Sequence, residues 1–305
     1  MPGTAILRSA LVCLAVALPA ATAHAQLFRA YLASDGSDAN PCTLQAPCRL
    51  LPAALNAVAS GGEIWMLDSA NYNTATVNIT KSVSILAIPG AVGSIVAQNG
   101  GPAFWITDGT VALRNVVIGP VAGATPGTHG VHVTGGGLTI ENSLITNLPN
   151  DGVRVETGGV LRMTQTTLRN NLGWAVRLLN GGAADIAASQ MLQNASGGVS
   201  AGGDMNVTTA SVSDSVISGG MNGIECSATI GGTTHIAVTR STITRAFRGL
   251  YCGGSGNNSI YIGSNLIAHN VDPWSAGCSI YSAGNNQFNH NGPSSGGPLT
   301  LLPLQ

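Results

Sequence analysis

Charge is what this chain has least of. Only 8% of its 305 residues are Asp, Glu, Lys or Arg, against about a quarter in an average globular chain. The 12 basic and 13 acidic side chains nearly cancel to a formal net charge of −1, and Lys81 is the one lysine. Basic charge so sparse leaves no polybasic footprint for nucleic acid or for an anionic membrane. Aromatic residues are also scarce, at 4%. Disorder is excluded by the hydrophobic content of 44%, which is ample for a core.

No apolar run is long enough to span a bilayer. The run Ala10–Leu18 follows Arg8 and precedes Ala23-His24-Ala25, and together these read as a signal peptide over residues 1–25. The mature chain is therefore expected to be exported, to the periplasm or the extracellular space, where disulfides are permitted. Five cysteines remain after cleavage: Cys42, Cys48, Cys226, Cys252 and Cys278. The odd count leaves an unpaired thiol or an intermolecular bond. Cys42 and Cys48 bracket a short Pro-rich loop and are expected to be bridged. Cys226 and Cys252 are the next candidate pair. No second cysteine pair stands at zinc-ligand spacing, and no HxxH or HExxH occurs, so no metal and no cofactor is expected.

Glycine is abundant, at 41 residues, and so is repetition. A phrase returns about every 22 to 27 residues: Asn or Ser, aliphatic, aliphatic, polar, Asn, then a turn, a Gly and an aliphatic-polar-aliphatic triplet. Glu141–Asn147 leads to Gly152-Val-Arg-Val155, and Thr164–Asn170 leads to Ala175-Val-Arg-Leu178. Later copies reach Gly223-Ile-Glu-Cys226 and Gly249-Leu-Tyr-Cys252. A fixed period of this size marks a solenoid whose units bury a core only by stacking. Ahead of the repeat, Leu51–Ala59 has apolar residues at helical spacing with Gly61 as a stop, and reads as a short helix capping the open end.

The run from Tyr31 through Pro41-Cys42, Pro47-Cys48-Arg49, Ala53-Ala54-Leu55 and Gly61-Gly62-Glu63 to Asn71-Tyr72 resembles the opening of secreted right-handed parallel β-helix proteins, the pectate-lyase-like superfamily. The resemblance implies an all-β solenoid, a right-handed parallel β-helix of about ten coils with a short N-terminal capping helix. The expected organisation is a signal peptide (1–25), an N-terminal segment with the disulfide loop and helix (26–61), the β-helix (62–292) and a tail (293–305). The superfamily contains polysaccharide lyases, hydrolases, esterases and epimerases, but their acid clusters and signature boxes are missing here. Shared fold alone transfers no reaction.

Aligning the copies sets a register. Val131, Val153, Val176, Val199, Ile224 and Leu250 form one apolar column, which strand alternation points inward. Leu113 to Ile262 and Ile118 to Ile267 give two more. One residue beyond the first column, pointing outward, stand His132, Arg154 and Arg177. With His129, Asp151 and Trp174 they make the candidate glycan-binding patch, because stacked Arg can fork onto carboxylates and Trp can stack on a sugar. The patch is expected to be exposed, with Asp151 and Trp174 at its edge. Arg162 with Asp185, and Arg114 with Glu141, read as cross-strand ion pairs, and Asn147 with Asn170 as the start of an amide ladder. The resulting expectation is an exported, non-catalytic module binding polysaccharide or envelope glycan. A lyase- or epimerase-like enzyme and a structural or adhesive rod are the alternatives, with the oligomeric state open.

Overall fold

The computed structural model describes residues 26–302 apart from Ala122, Ala124 and Ile230, so the signal peptide expected over residues 1–25 lies outside the described residues. Each coil lays down three short strands. One coil contributes Gly137–Glu141, Leu144–Thr146 and Val153–Glu156, and the next repeats them at Val160–Thr164, Thr167–Arg169 and Trp174–Leu179. Stacking turns these into three parallel sheets of 12, 10 and 9 strands, here called first, second and third in the order the chain visits them. The nine strands of the third sheet count nine coils, against the ten or so expected.

The three apolar columns hold. Val131 pairs with Val153, Val153 with Val176, Val176 with Val199, Val199 with Ile224, and Ile224 with Leu250. Each of these side chains is fully buried. The Gly that precedes the column is fixed by crowding. A Cβ on Gly152 would meet the Ala175 carbonyl at 2.7 Å, and one on Gly223 the Gly249 carbonyl at 2.6 Å.

The corners explain why Asn and Ser recur. Asn142, Asn147 and Asn170 have φ of 48°, 59° and 56°, the left-handed region that Asn tolerates better than most side chains. The expected ladder through Asn147 and Asn170 is therefore displaced by one residue. At this corner the stacked amides are Asn171 on Asn194, joined from Nδ2 to Oδ1 at 2.8 Å, and later Asn270 on Asn291 at 3.1 Å, with Asn194 Nδ2 also donating to the Leu168 carbonyl. At the other corner runs a hydroxyl ladder. The Ser189 N–H donates to Ser215 Oγ and the Ser215 N–H to Ser241 Oγ, while each hydroxyl donates to the carbonyl two residues before it.

Before the first complete coil, Leu27–Leu32 already pairs in parallel with Val58–Met66. The helix spans Leu51–Ala57, with Pro in its first turn, and buries Leu51, Ala54 and Leu55. It stops earlier than Ala59 because Val58 turns extended, at φ −82° and ψ 142°, to start a strand. Cys42 and Cys48 are bridged. The second bridge joins Cys252 to Cys278, correcting the candidate pair Cys226–Cys252, and Cys226 is a buried free thiol. Cys226 and Cys252 are register neighbours, but a second partner for Cys252 arrives one coil later. At the far end, Thr300–Leu301 adds a strand to the first sheet beside Ser279–Ser282.

Candidate functional site

Along the third sheet one outward column reads Trp105, His132, Arg154, Arg177, Ser200, Glu225 and Tyr251, one residue per coil. Parallel neighbours are roughly 4.8 Å apart, so aromatic and long side chains in it touch. His132 stacks on Trp105, with ring centres 6.0 Å apart and planes 10° off parallel. Arg114 and Glu141 form the expected ion pair on the first sheet, at 2.7 Å. Arg162 and Asp185 are register neighbours but form no ion pair, which corrects that expectation.

The predicted patch is brought together, yet it is not the exposed surface expected. Asp151 is fully buried, and His129 and Trp174 are each only 8% exposed. The reason is local. Asp151 sits in the turn before its strand and folds inward to accept the Trp174 backbone N–H at 2.9 Å. The Asp151 N–H in turn donates to His129 Nδ1 at 3.3 Å. A ring nitrogen that accepts cannot also donate, so the 3.4 Å approach of His129 Nδ1 to Asp151 Oδ2 is not an ion pair. Burial, helped by nearby Arg154, pushes His129 down to about 4, so the ring is neutral at ordinary pH.

Asp151 Oδ2 is thus left without a hydrogen bond. Its nearest cation is Arg154 Nη1, at 3.8 Å. Burial raises the Asp151 carboxyl, against the Trp174 amide and the charges of Arg177 and Arg154, which act to lower it. Arg154 is committed elsewhere, because its Nε donates to Glu156 Oε1. Burial acts to raise Glu156, but this bond and the Arg154 charge outweigh it and hold the carboxyl below its usual value. His132 Nε2 lies 3.6 Å from Glu156 Oε1, beyond hydrogen-bond reach, and is buried without a partner. Burial lowers His132 as well. Arg177 forms no hydrogen bond or ion pair among the described residues, and its Nε is buried and unsatisfied.

Sequence reasoning missed Trp105 and Glu156. Glu156 was legible, since alternation puts it on the same face as Arg154. Trp105 was not, because its coil reads Ala103-Phe104-Trp105-Ile106, without the Gly and the polar middle residue that mark the triplet in later coils. The surface has a hollow of about 300 Å³, but it lies on the first sheet over Thr139, Arg162 and Asp185. The chemistry stands instead on the open third sheet. Among the described residues no group of three His, Cys, Asp or Glu side chains is placed to hold a metal ion.

Residues 129–292, just over half the chain, match the family described as right-handed β-helix region, and the chain belongs to that family. Among solved structures it is similar to pectate lyase Pel9A, at 17% identity and a TM-score of 0.68, covering 89% of this chain and 78% of that one. An alginate lyase from Paenibacillus sp. str. FPU-7 is 13% identical, with a TM-score of 0.51 over 90% of this chain and 100% of that one. A rhamnogalacturonan lyase gives 12% and 0.51, over 88% and 74%. Likeness at this identity is likeness of fold. No curated protein sequence matches the chain.

Proposed function

We propose that this protein is an exported, non-catalytic β-helix that binds an acidic polysaccharide along its third sheet, at the column Trp105–His132–Arg154–Arg177. The observation that carries the reading is Arg177. It forms no hydrogen bond or ion pair among the described residues, reaches buried Asp151 only through its charge, and stands with a buried, unpaired Nε in line with an aromatic pair. A guanidinium in that state fits a uronate carboxylate, which would satisfy two N–H groups at once. Trp105, 42% exposed, supplies a surface for a sugar ring. Asp151 and His129 face inward, where they hold the turn and touch no polymer. Two disulfides agree with an oxidising compartment. Neighbours of the same fold being lyases of acidic polysaccharides, by their names, agrees with the ligand class.

The test is retention on immobilised polygalacturonate and alginate. Arg177→Ala is expected to lose most of the binding and Arg177→Glu all of it, and added salt to weaken the wild type. Retention unchanged in both variants would remove the proposal.

A second reading, a lyase- or epimerase-like enzyme, rests on His132. Its Nε2 is unpartnered and burial lowers its ring, which stands next to Arg154 and two coils from Arg177 in the same column, as a base near a carboxylate-binding cation would. Unsaturated uronate product from the wild type, absent with His132→Gln, would favour this reading over pure binding.

A further inference from the structure

The turn from the second sheet to the third carries a feature the glycan reading does not use. Successive coils place Leu172, Ala195, Met221, Phe247 and Val271 at the outer point of this turn. Leu172 is 67% exposed, Met221 50%, Phe247 47% and Val271 61%. At about 4.8 Å per coil they form one apolar ridge roughly 20 Å long. Isolated exposed apolar residues need no explanation, but a contiguous row in a chain otherwise covered by Thr, Ser and Asn does.

The ridge has a charge pattern of its own. Arg169 and Arg245 are exposed beside it, and the Arg248 guanidinium lies 5.2 Å from the Phe247 ring centre. None of the three forms an ion pair among the described residues. Along this turn, from Leu144 to Asp272, the second-sheet strands and strand entries carry two carboxylates, Asp151 and Asp272, the latter in register with Arg248, and both are buried. The coil period thus gathers onto one edge three arginines that are scattered in sequence, which is why composition alone gives no sign of them.

We propose that this edge docks on an anionic lipid surface, with the apolar ridge entering the interface and the arginines contacting headgroups. Apolar side chains flanked by cations are the recognised chemistry of interfacial binding. The shape agrees, because the ridge is convex and one side chain wide, while the best-formed hollows lie elsewhere. A fluid interface needs no complementary groove. A second copy of the chain fits poorly, since two-fold pairing of this edge would set arginine against arginine while the carboxylates near it, Asp151 and Asp272, are buried.

Flotation with vesicles of phosphatidylglycerol mixed with phosphatidylcholine, against phosphatidylcholine alone, tests the proposal. The full chain is used throughout, so residues 1–25 are common to wild type and variants. The wild type is expected to float with the anionic vesicles at low salt and to be released by high salt. Phe247→Ser with Val271→Ser, and separately Arg169→Glu with Arg245→Glu, are each expected to weaken binding at least about tenfold, with unchanged thermal melting. Equal flotation of wild type and both double variants overturns the proposal. So does a wild-type dimer in light scattering that the apolar variant abolishes, which would give the ridge to a second copy.

Discussion

Asp151 accepts the Trp174 backbone N–H at 2.9 Å through Oδ1 and leaves Oδ2 without a donor. One coil therefore fixes the entry of the next strand with a carboxylate that is itself only half satisfied. Asp151→Ala would strand the buried Trp174 amide, and is expected to cost about 1–3 kcal/mol in urea unfolding. Asp151→Asn keeps an acceptor and is expected to retain most of that stability. Equal losses would mean that charge, not the hydrogen bond, is what the turn requires.

The two arginines are not interchangeable. Arg154 holds Glu156 and approaches buried Asp151 most closely, whereas Arg177 forms no hydrogen bond or ion pair among the described residues and acts on Asp151 only through its charge. Arg154→Ala is expected to destabilise by about 1–2 kcal/mol, since it leaves carboxylates unpaired. Arg177→Ala breaks no hydrogen bond and removes only a charge acting on Asp151, so it should cost less than Arg154→Ala. Chemical denaturation of the two single variants compares them directly.

Stability should fall on acidification through His129. Its folded value of about 4 lies below the unfolded 6.5, so the unfolded chain binds the proton more readily. The contribution is complete above pH 6.5 and is lost as pH falls towards 4, on the order of 2–3 kcal/mol. Asp151, raised by burial, acts in the opposite direction, gaining stability as it protonates at the acid end of this window. His129→Gln cannot charge, and its melting temperature should vary less between pH 6.5 and 4 than the wild type's.

Among the described residues, thiol mapping should find one free cysteine, Cys226. Burial pushes Cys226 up to about 12, so alkylation is expected only after unfolding. Removing the Cys252–Cys278 bridge, whose ends are 26 residues apart, is expected to cost about 3.5 kcal/mol by loop entropy. For Cys42–Cys48, 6 apart, the figure is about 2 kcal/mol. A rapidly alkylated Cys226 in the native protein would contradict the packing.

Asn170 and Asn171 separate two roles by one position. Asn170→Gly should be neutral or better, since φ is 56° there. Asn171→Ala removes a donor to Asn194 and the acceptor of the Leu148 N–H, and should cost about 1–3 kcal/mol. Thermal melts of both variants are the check.

The fold was readable because its core is periodic. Val131 to Leu250 repeat at one inward position, and a one-residue slip would have exposed the whole column. The site was readable only as adjacency. His132, Arg154 and Arg177 share a column as the spacing required, but periodicity says nothing about depth. Whether Asp151 points out or in depends on which orphan amide it meets, here that of Trp174, and that is decided by the turn. The disulfide went astray for a related reason. Register made Cys226 and Cys252 neighbours, while Cys278 lies in the last coil, where the repeat has faded.

The hydroxyl ladder at the first corner runs one way. The amides of Ser189, Ser215 and Ser241 all donate forward, to a side chain of the following coil, ending on Asn265 Oδ1 in the last of these. No coil can complete its own corner. A chain emerging N-terminus first holds at each moment one newest coil with an unanswered donor, and the arrival of the next both answers it and creates another. Within this ladder, removing the following coil strands a serine amide, while removing the preceding coil strands the amides of Gln190, Val216 or Thr242, which donate back to its carbonyls, so each coil is tied to both neighbours by different groups.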